Sequence, residues 1–339
     1  MNRTKDLYKY LLTRLAIAPL MLWLISSLVF LLLRVAPGDP IDAILGTRAS
    51  EVARSALRAR LGLDQSLLDQ YYNFLKGLLK GDLGEAIISQ EPVREIISKC
   101  LPASIELGLI SLIIAVLIGF LVGILGVIRG GGKTDVISRI YGISTYALPP
   151  FWAAMIIQLI FAVLLGWLPV GGRFPPSLIA PEGSGFLLID SIKDGNWIAL
   201  KGSIRHLILP ASTLGILLSG VFSRALKINL EMILNSEYIE AARSRGIKES
   251  QVILNHASRN TLLPILTIAG ITIASLIGGA LLIEVTFSWP GIALRLQEAI
   301  NQRDYNVVQG IIVVISSLVV LISILVDLII AIVDPRVQY

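Results

Sequence analysis

The pattern with the most obvious chemical meaning is GVIRGGGKT at 126–134. A phosphate-binding loop has four residues between its first glycine and the Gly-Lys-Ser/Thr that follows, and it comes after a strand. Here five residues separate Gly126 from Gly132, and a long apolar run precedes them. We therefore expect a flexible turn at this place and no nucleotide site.

Other catalytic patterns are missing from the sequence. It contains neither H-E-x-x-H nor G-x-S-x-G, the spacings of zinc proteases and serine hydrolases. We predict that the two histidines, His206 and His256, are polar surface residues. The lone cysteine, Cys100, excludes an intrachain disulfide and is interpreted as a packing residue. The residues predict no metal, no cofactor and no enzyme.

The composition indicates an integral membrane protein. Of 339 residues, 55% are hydrophobic and 16% are charged, against about 25% charged in an ordinary soluble domain. The apolar residues come in long runs, and the mean hydropathy is +0.77. The net charge of +5 is small and no basic cluster alternates with aromatics, so a nucleic-acid partner is not expected.

Six apolar runs are long enough for helices that cross a bilayer, which takes about 20 residues each. The first follows a basic start and is too long for the core of a signal peptide, so we predict that it is retained. The predicted spans are 15–34, 104–128, 140–166, 207–226, 263–285 and 307–333.

Loop charge predicts the orientation of these spans. Lysines and arginines concentrate in 1–14, in 129–139 and around 237–246, and such residues favour the cytoplasm. Both termini are then cytoplasmic. The predicted organisation is a cytoplasmic start and first span (1–34), an external segment (35–103) and a core of five spans (104–339) with a cytoplasmic loop at 229–262.

The external segment contains one clear helical pattern. Leucines and Tyr71 recur at helical spacing within 65–81, and Gly81 stands where a helix would stop. This helix either packs on the other loops or offers a docking surface to an outside partner.

The spans carry few polar features. Arg34, Glu106, Arg224, Glu284 and Asp327 all lie toward span ends, which argues against a proton-driven carrier. In the third span, the two prolines at 149–150 predict a kink or break that either bends a packed helix or lines a path. In the second span, the glycine pair of GFLVG (119–123) predicts close packing against another helix.

A polar stretch interrupts the second half of the chain. In EYIEAARSRG (237–246), Ser236 is placed as an N-cap and Gly246 as a stop, which predicts a short helix. A second helix follows from 249 to about 260, with Val252, Ile253 and Ala257 on its apolar side. The pair Ala241–Ala242 would leave a shallow surface that another protein can approach, although a solvated amphipathic hairpin would have the same pattern.

A family resemblance covers nearly the whole chain. The segment EAARSRG (240–246) resembles the EAA loop of ABC-transporter permeases, and the chain is similar to the first permease type of the dipeptide/oligopeptide/nickel importers. The motifs that carry the resemblance are APGDP (36–40), LGLDQ (61–65), KGDLG (80–84), LPASIELGL (101–109), LPPFW (148–152), GWLPVGG (166–172), RHLILPASTLG (205–215), EYIEAARSRGI (237–247), RNTLLP (259–264), FSWPGI (287–292), RDYNVVQG (303–310) and LVDLIIAIVDPR (325–336).

The resemblance implies an all-α, six-span permease subunit of an ATP-driven importer in the cell membrane. It implies a second homologous permease, two cytoplasmic ATPases that bind the ATP and magnesium, an external binding protein and surrounding lipid. The residues that it implies for coupling to the ATPases are Tyr238, Glu240, Ala241, Ala242, Arg243 and Gly246.

The chain departs from the general EAA pattern in two places. Ser258 and Arg259 occupy the position of the usual Leu-Pro pair, which comes later as Leu263 and Pro264. Lys248 replaces a capping serine or threonine, so the second helix starts there or at Ser250. The resemblance leaves the substrate open among peptides, nickel complexes and oligosaccharides. The alternative function from another class is an independent, ion-coupled carrier.

Overall fold

A computed structural model describes residues 3–35, 41, 45–46, 49–128 and 132–333 of the chain. These residues form helices joined by loops, the longest of which covers 165–186, with one isolated antiparallel bridge between Glu85 and Pro92. The helices are α1 Arg3–Val35, α2 Glu51–Arg60, α3 Leu67–Leu79, α4 Val93–Ile128, α5 Lys133–Ala147, α6 Pro150–Gln158, α7 Leu187–Lys193, α8 Trp197–Leu234, α9 Glu237–Ser244, α10 Glu249–Gln251, α11 Ser258–Gly279, α12 Leu281–Thr286, α13 Ile292–Asn301 and α14 Tyr305–Val333. Two π-helical turns, Leu159–Leu164 and Val252–Ala257, extend α6 and α10.

Four of these helices are long and apolar enough to cross a bilayer, namely α1, α4, α8 and α14. The pair α5 and α6 makes a fifth span if it is counted as one. The predicted span 263–285 is instead divided at Ala280 into α11 and α12. The all-helical membrane class is confirmed, and the described residues contain four or five candidate spans where the sequence predicts six.

The predicted break at the two prolines is present and sharp. Leu148 and Pro149 are both extended, with ψ angles of 125° and 129°, and α6 starts at Pro150. A residue before proline avoids the helical region, and proline has no N–H to continue the ladder. The axes of the two helices therefore differ by 102°, and 140–166 is two helices where one span is predicted.

The glycine pair predicted to pack closely lies against α8. A Cβ placed on Gly119 would come 2.9 Å from the Ser219 carbonyl oxygen, and one on Gly123 would come 3.0 Å from that of Ser223. Only glycine leaves room for backbones at this distance. Helices α4 and α8 therefore form the tightly packed centre of the molecule.

Polar contacts join segments that the charge pattern predicts to be on the same side. Asp135 pairs with Lys227, and Arg14 lies 2.9 Å from Asp327. These four residues lie at or near the segments predicted to be cytoplasmic. At the other end, Arg173 lies 2.6 Å from Glu106, and the Ile87 N–H donates to Asp304 at 2.8 Å.

The predicted external helix is present as α3. Ser66 accepts the Asp69 N–H at 3.2 Å as its N-cap, and Gly81 follows it with φ of +73°. The α3 residue Tyr71 hydrogen-bonds Ser27 of α1 at 2.6 Å, so this helix packs on the first span. Residues 36–40, which include the APGDP motif, and 129–131 of the predicted turn lie outside the described residues.

The long helices extend past the predicted spans. Helix α4 begins at Val93, whereas the sequence places the start of the span at 104. Helix α8 likewise runs well beyond 207–226 at both ends. The extra turns connect these two helices to the loops that precede and follow them.

Candidate functional site

The polar stretch at 237–246 folds as the short helix α9, which turns one face to the protein. Ile239 and Ala242 are buried, at 0% and 8% exposure. They belong to one apolar cluster with Val252, Ala257 and residues of α4 and α8. The segment is thus packed on the two central helices through one apolar face, while its other face is exposed, as an amphipathic hairpin would also be.

The outer face of α9 carries two of the predicted coupling residues. Glu240 and Ala241 are exposed, with Glu237 and Ser244 one turn away on either side. The shallow surface predicted for the alanine pair is therefore supplied by Ala241. Ala242 does not contribute to this surface, because its methyl group is buried in the apolar cluster beneath the helix; its role in coupling stays a prediction.

Gly246 ends α9 as predicted, through its backbone. Its φ is +75°, and its N–H donates to the Arg243 carbonyl at 2.9 Å. The next N–H, that of Ile247, points back to the Ala242 carbonyl at 3.4 Å. A left-handed residue at this position reverses the chain after a helix and satisfies its last carbonyls.

Arg243 stabilises the turn by hydrogen bonds to both sides of it. Its guanidinium donates to both carboxylate oxygens of Glu249, at 2.6 and 3.0 Å, and to the Leu234 carbonyl at 3.1 Å. One side chain thus joins the ends of α8 and α9 to the start of α10. The side chain is exposed, and each of its three guanidinium nitrogens donates one hydrogen bond inside the chain.

The ion pair between Arg243 and Glu249, called the Arg243–Glu249 clamp below, also favours the charged form of Glu249. The hydrogen bond from Arg243 lowers the pKa of Glu249, and the same bond raises the pKa of Arg243. A carboxyl group with a lowered pKa stabilises the fold above its ordinary pKa, and this stabilisation is lost as the pH falls through the lowered value. The clamp is therefore complete at neutral pH.

Tyr238 links α9 to α11, which contains Asn260. Its hydroxyl accepts a hydrogen bond from the Asn260 side-chain amide at 2.8 Å, while its ring remains partly exposed. Of the six predicted residues, only Ala242 is buried, and the other five are exposed. Glu240 and Ala241 are exposed on the outer face of α9, and Tyr238 and Arg243 are also exposed while their polar atoms bind other parts of the loop. Ala242 packs beneath this face.

Several details of this loop differ from the sequence predictions. The Ser236 hydroxyl donates back to the Ile233 carbonyl at 2.5 Å and accepts no N–H from α9. The second helix starts at Glu249, after an extended Lys248, which excludes Ser250 as its cap. Val252, Ile253 and Ala257 are buried as predicted, but the helix continues past Asn260 into α11.

One histidine prediction holds and the other needs correction. His256 is exposed. His206 is partly buried, and its Nδ1 lies 3.0 Å from the Gly171 carbonyl oxygen, where an N–H on that nitrogen would donate. It therefore fastens the 167–186 loop to α8.

A second polar centre lies at the other end of the molecule. The Glu284 side chain is fully buried and accepts the N–H groups of Ala293 and Leu294, each at 2.9 Å. Ser104 of α4 donates to its other oxygen at 2.5 Å. The carboxylate caps α13 and fixes that helix to α4.

The same region contains a buried ion pair. Glu106 of α4 binds Arg173 at 2.6 Å and accepts the Leu188 N–H of α7 at 2.9 Å. The sequence places Glu106 and Glu284 near span ends but shows no role for them. A sequence signal for Glu284 does exist: it is an acidic residue shortly before a Trp-Pro-Gly turn and the start of a new helix, where it could cap that helix. Glu106 has no such local signal.

Comparison with known proteins agrees with this architecture. The model of the "Binding-protein-dependent transport system inner membrane component" family matches residues 115–339, and the corresponding N-terminal model matches 7–108. The chain belongs to the binding-protein-dependent transport family of inner membrane components. The predicted resemblance is thereby confirmed.

Named relatives match this permease over almost its full length. The "Dipeptide transport system permease protein DppB" of Alkalihalophilus pseudofirmus is 37% identical over 91% of this chain and 93% of its own. The "Di/tripeptide transport system permease protein DppB" of Pseudomonas aeruginosa is 34% identical over 93% and 94%. The "Glutathione transport system permease protein GsiC" of Pectobacterium atrosepticum is 31% identical over 94% and 95%.

A solved structure shares the fold of the permease. It is described as "Inward facing conformations of the MetNI methionine ABC transporter: CY5 native crystal form". It matches with a TM-score of 0.54 and 17% identity, over 71% of this chain and 97% of the other. The permease is a multi-pass membrane subunit of an ABC importer, and this function is favoured over that of an ion-coupled carrier.

Proposed function

We propose that the permease forms half of a translocation pathway with a second, related permease. In this proposal six spans cross the cell membrane, both termini are cytoplasmic, and an external binding protein delivers the substrate. Two cytoplasmic ATPases supply the ATP and magnesium sites. When they close, they move α9 and the pathway changes from inward-facing to outward-facing.

The observation that carries the coupling role is the open face of α9. Glu240 and Ala241 are exposed, while the helix beneath them is fixed by a buried apolar cluster and by the Arg243–Glu249 clamp. A fixed surface binds a partner more favourably than a mobile one, because ordering a flexible loop would cost conformational entropy on binding. The continuous helix from Glu249 into the membrane supports the same role.

The substrate that we propose is a short peptide. The relatives above are named for dipeptides, tripeptides and glutathione, all of which are small peptides with free carboxylates. Nickel complexes and oligosaccharides become the alternatives to be tested. Because the binding protein selects the solute before it reaches the permease, the assay requires the complete transporter.

The decisive comparison uses two neighbouring alanines. Ala241→Trp adds a bulky side chain to the open face, so we expect normal insertion, loss of co-purified ATPase and loss of ATP-dependent dipeptide uptake in vesicles. Lys248→Ala, an exposed change beyond the turn, is the matched control and should retain both activities. Ala242→Trp should instead disturb the loop itself, which protease sensitivity of 237–257 would reveal.

Wild-type amounts of ATPase on the Ala241→Trp permease would contradict the coupling role. Uptake that follows an ion gradient without ATP would contradict the ABC mechanism. ATP-dependent uptake of nickel or an oligosaccharide in place of the dipeptide would replace only the proposed substrate.

A further inference from the structure

A cavity of about 340 Å³ lies between α5 and the end of α8 that leads into α9. Within the described residues, its lining includes three basic side chains and no acidic one: Arg139, Arg224 and Lys227. Ser138 and Ser223 add hydroxyl groups, and Ile143 and Tyr146 add apolar surface. The proposed coupling mechanism gives no role to this cavity.

The charges around the cavity are not balanced. Asp135 binds Lys227 and also accepts a hydrogen bond from Arg139 at 2.7 Å. A second acid, Glu231, lies 3.9 Å from Lys227. No acid in the described part of the chain pairs with Arg224, which is exposed. Three cations thus face two acids, and the donors of Arg224 are available to an anion.

The cavity lies at the level where a spanning helix ends. Gly126, in the last turn of α4, is packed directly against Ser138, and Lys227 comes within 4.0 Å of the position of its missing Cβ. Helix α4 ends two positions later at Ile128. Basic side chains at the end of a span lie at the depth of lipid headgroups.

The polarity of the cavity changes along α5. Arg139 is nearer the loop that begins the helix, and Ile143 and Tyr146 follow farther along it. Both of these residues are open to the surroundings, since Ile143 is 65% exposed and Tyr146 is 84% exposed. A ligand with an anionic head and an apolar tail matches this order, whereas free phosphate would use only one end.

We propose that this cavity binds an anionic phospholipid of the cytoplasmic leaflet, with its phosphate on Arg224 and Arg139. Basic pockets between membrane helices on the cytoplasmic side are suited to such headgroups. The lipid would join α5 to α8 next to the loop that carries α9. The leaflet assignment rests on the proposed cytoplasmic location of 129–139 and 229–262.

The test is native mass spectrometry of the full-length permease in detergent, titrated with phosphatidylglycerol or phosphatidylcholine. Wild type should retain phosphatidylglycerol preferentially. The double variant Arg139→Gln/Arg224→Gln should bind it about 25-fold more weakly, because each basic residue near a membrane surface contributes about fivefold. Arg245→Gln, a cytoplasmic arginine outside the cavity, is the matched control and should bind as wild type does.

Two further variants guard against loss of folding. Arg224→Lys keeps the charge and should retain most of the binding. Glu231→Gln removes an acid beside Lys227 and should strengthen binding, which an unfolded protein would not do.

Three results would overturn the proposal. The first is equal retention of phosphatidylglycerol by wild type and the double variant. The second is displacement of the lipid by millimolar inorganic phosphate, which would indicate a simple anion site. The third is loss of the lipid when the second permease and the ATPases are present, since a partner would then cover the cavity. The co-purification test of coupling does not depend on any of these outcomes.

Discussion

At the scale of the residue, position 246 favours glycine because of its backbone conformation and not because of the space around it. A Cβ built on it would meet no atom within 4 Å, so the space around it would accept a side chain. Its φ of +75° is the feature that other residues avoid. Asparagine tolerates this conformation far better than a β-branched residue does. This difference separates the effect of the turn from the effect of side-chain volume.

We predict that Gly246→Val destabilises the loop by about 1–2 kcal/mol, the cost of a left-handed conformation for an ordinary residue. Hydrogen exchange of the amides in 237–257 should accelerate, and the permease should bind less ATPase. Gly246→Asn is the matched control and should remain near wild type in both measurements. If the two variants behave alike, the left-handed turn is not what the loop requires.

At the scale of the element, the packing of α13 depends on Glu284. Its carboxylate accepts two N–H groups at the start of the helix and the Ser104 hydroxyl of α4. An anion at a helix N-terminus is favourable, and this one satisfies N–H groups that α13 itself cannot pair. Trp289 reinforces the contact by donating from its indole nitrogen to the Ala103 carbonyl at 2.9 Å.

Glu284→Ala should therefore destabilise the permease by about 3 kcal/mol, because buried N–H groups lose their acceptor and a cavity remains. Thermal unfolding in detergent would measure the loss. Glu298→Ala, on the same helix, removes a half-exposed partner of Arg295 and should cost less than about 0.5 kcal/mol. Similar shifts for the two variants would mean that the cap does not hold α13.

Local patterns predict part of these elements, and distant partners determine the rest. The helix at 67–79, the break before Pro150 and the stop at Gly246 each follow from residues close together in sequence. The role of Glu284 depends on Ser104, which lies 180 positions away, so no local pattern reveals it. The inward direction of Ala242 likewise depends on Val252 and the ends of α4 and α8.

At the scale of the whole molecule, the polar contacts divide into two separate groups. Asp135–Lys227 and Arg14–Asp327 join one set of loops and helix ends. Glu106–Arg173 and Ile87–Asp304 join the other set. The charge pattern predicts the same division, with the first set in the cytoplasm. The contacts therefore pair loops within each set.

Single cysteines can test this orientation because the chain has only Cys100. In a Cys100→Ser background, we predict that Ile179→Cys reacts with a membrane-impermeant maleimide in intact cells. Lys248→Cys should react only after the membrane is permeabilised, because its loop is proposed to lie in the cytoplasm. Both positions are exposed, Ile179 at 92%, so burial would not explain a difference between them. Labelling of Lys248→Cys in intact cells would reverse the orientation and would move α9 out of reach of any cytoplasmic ATPase.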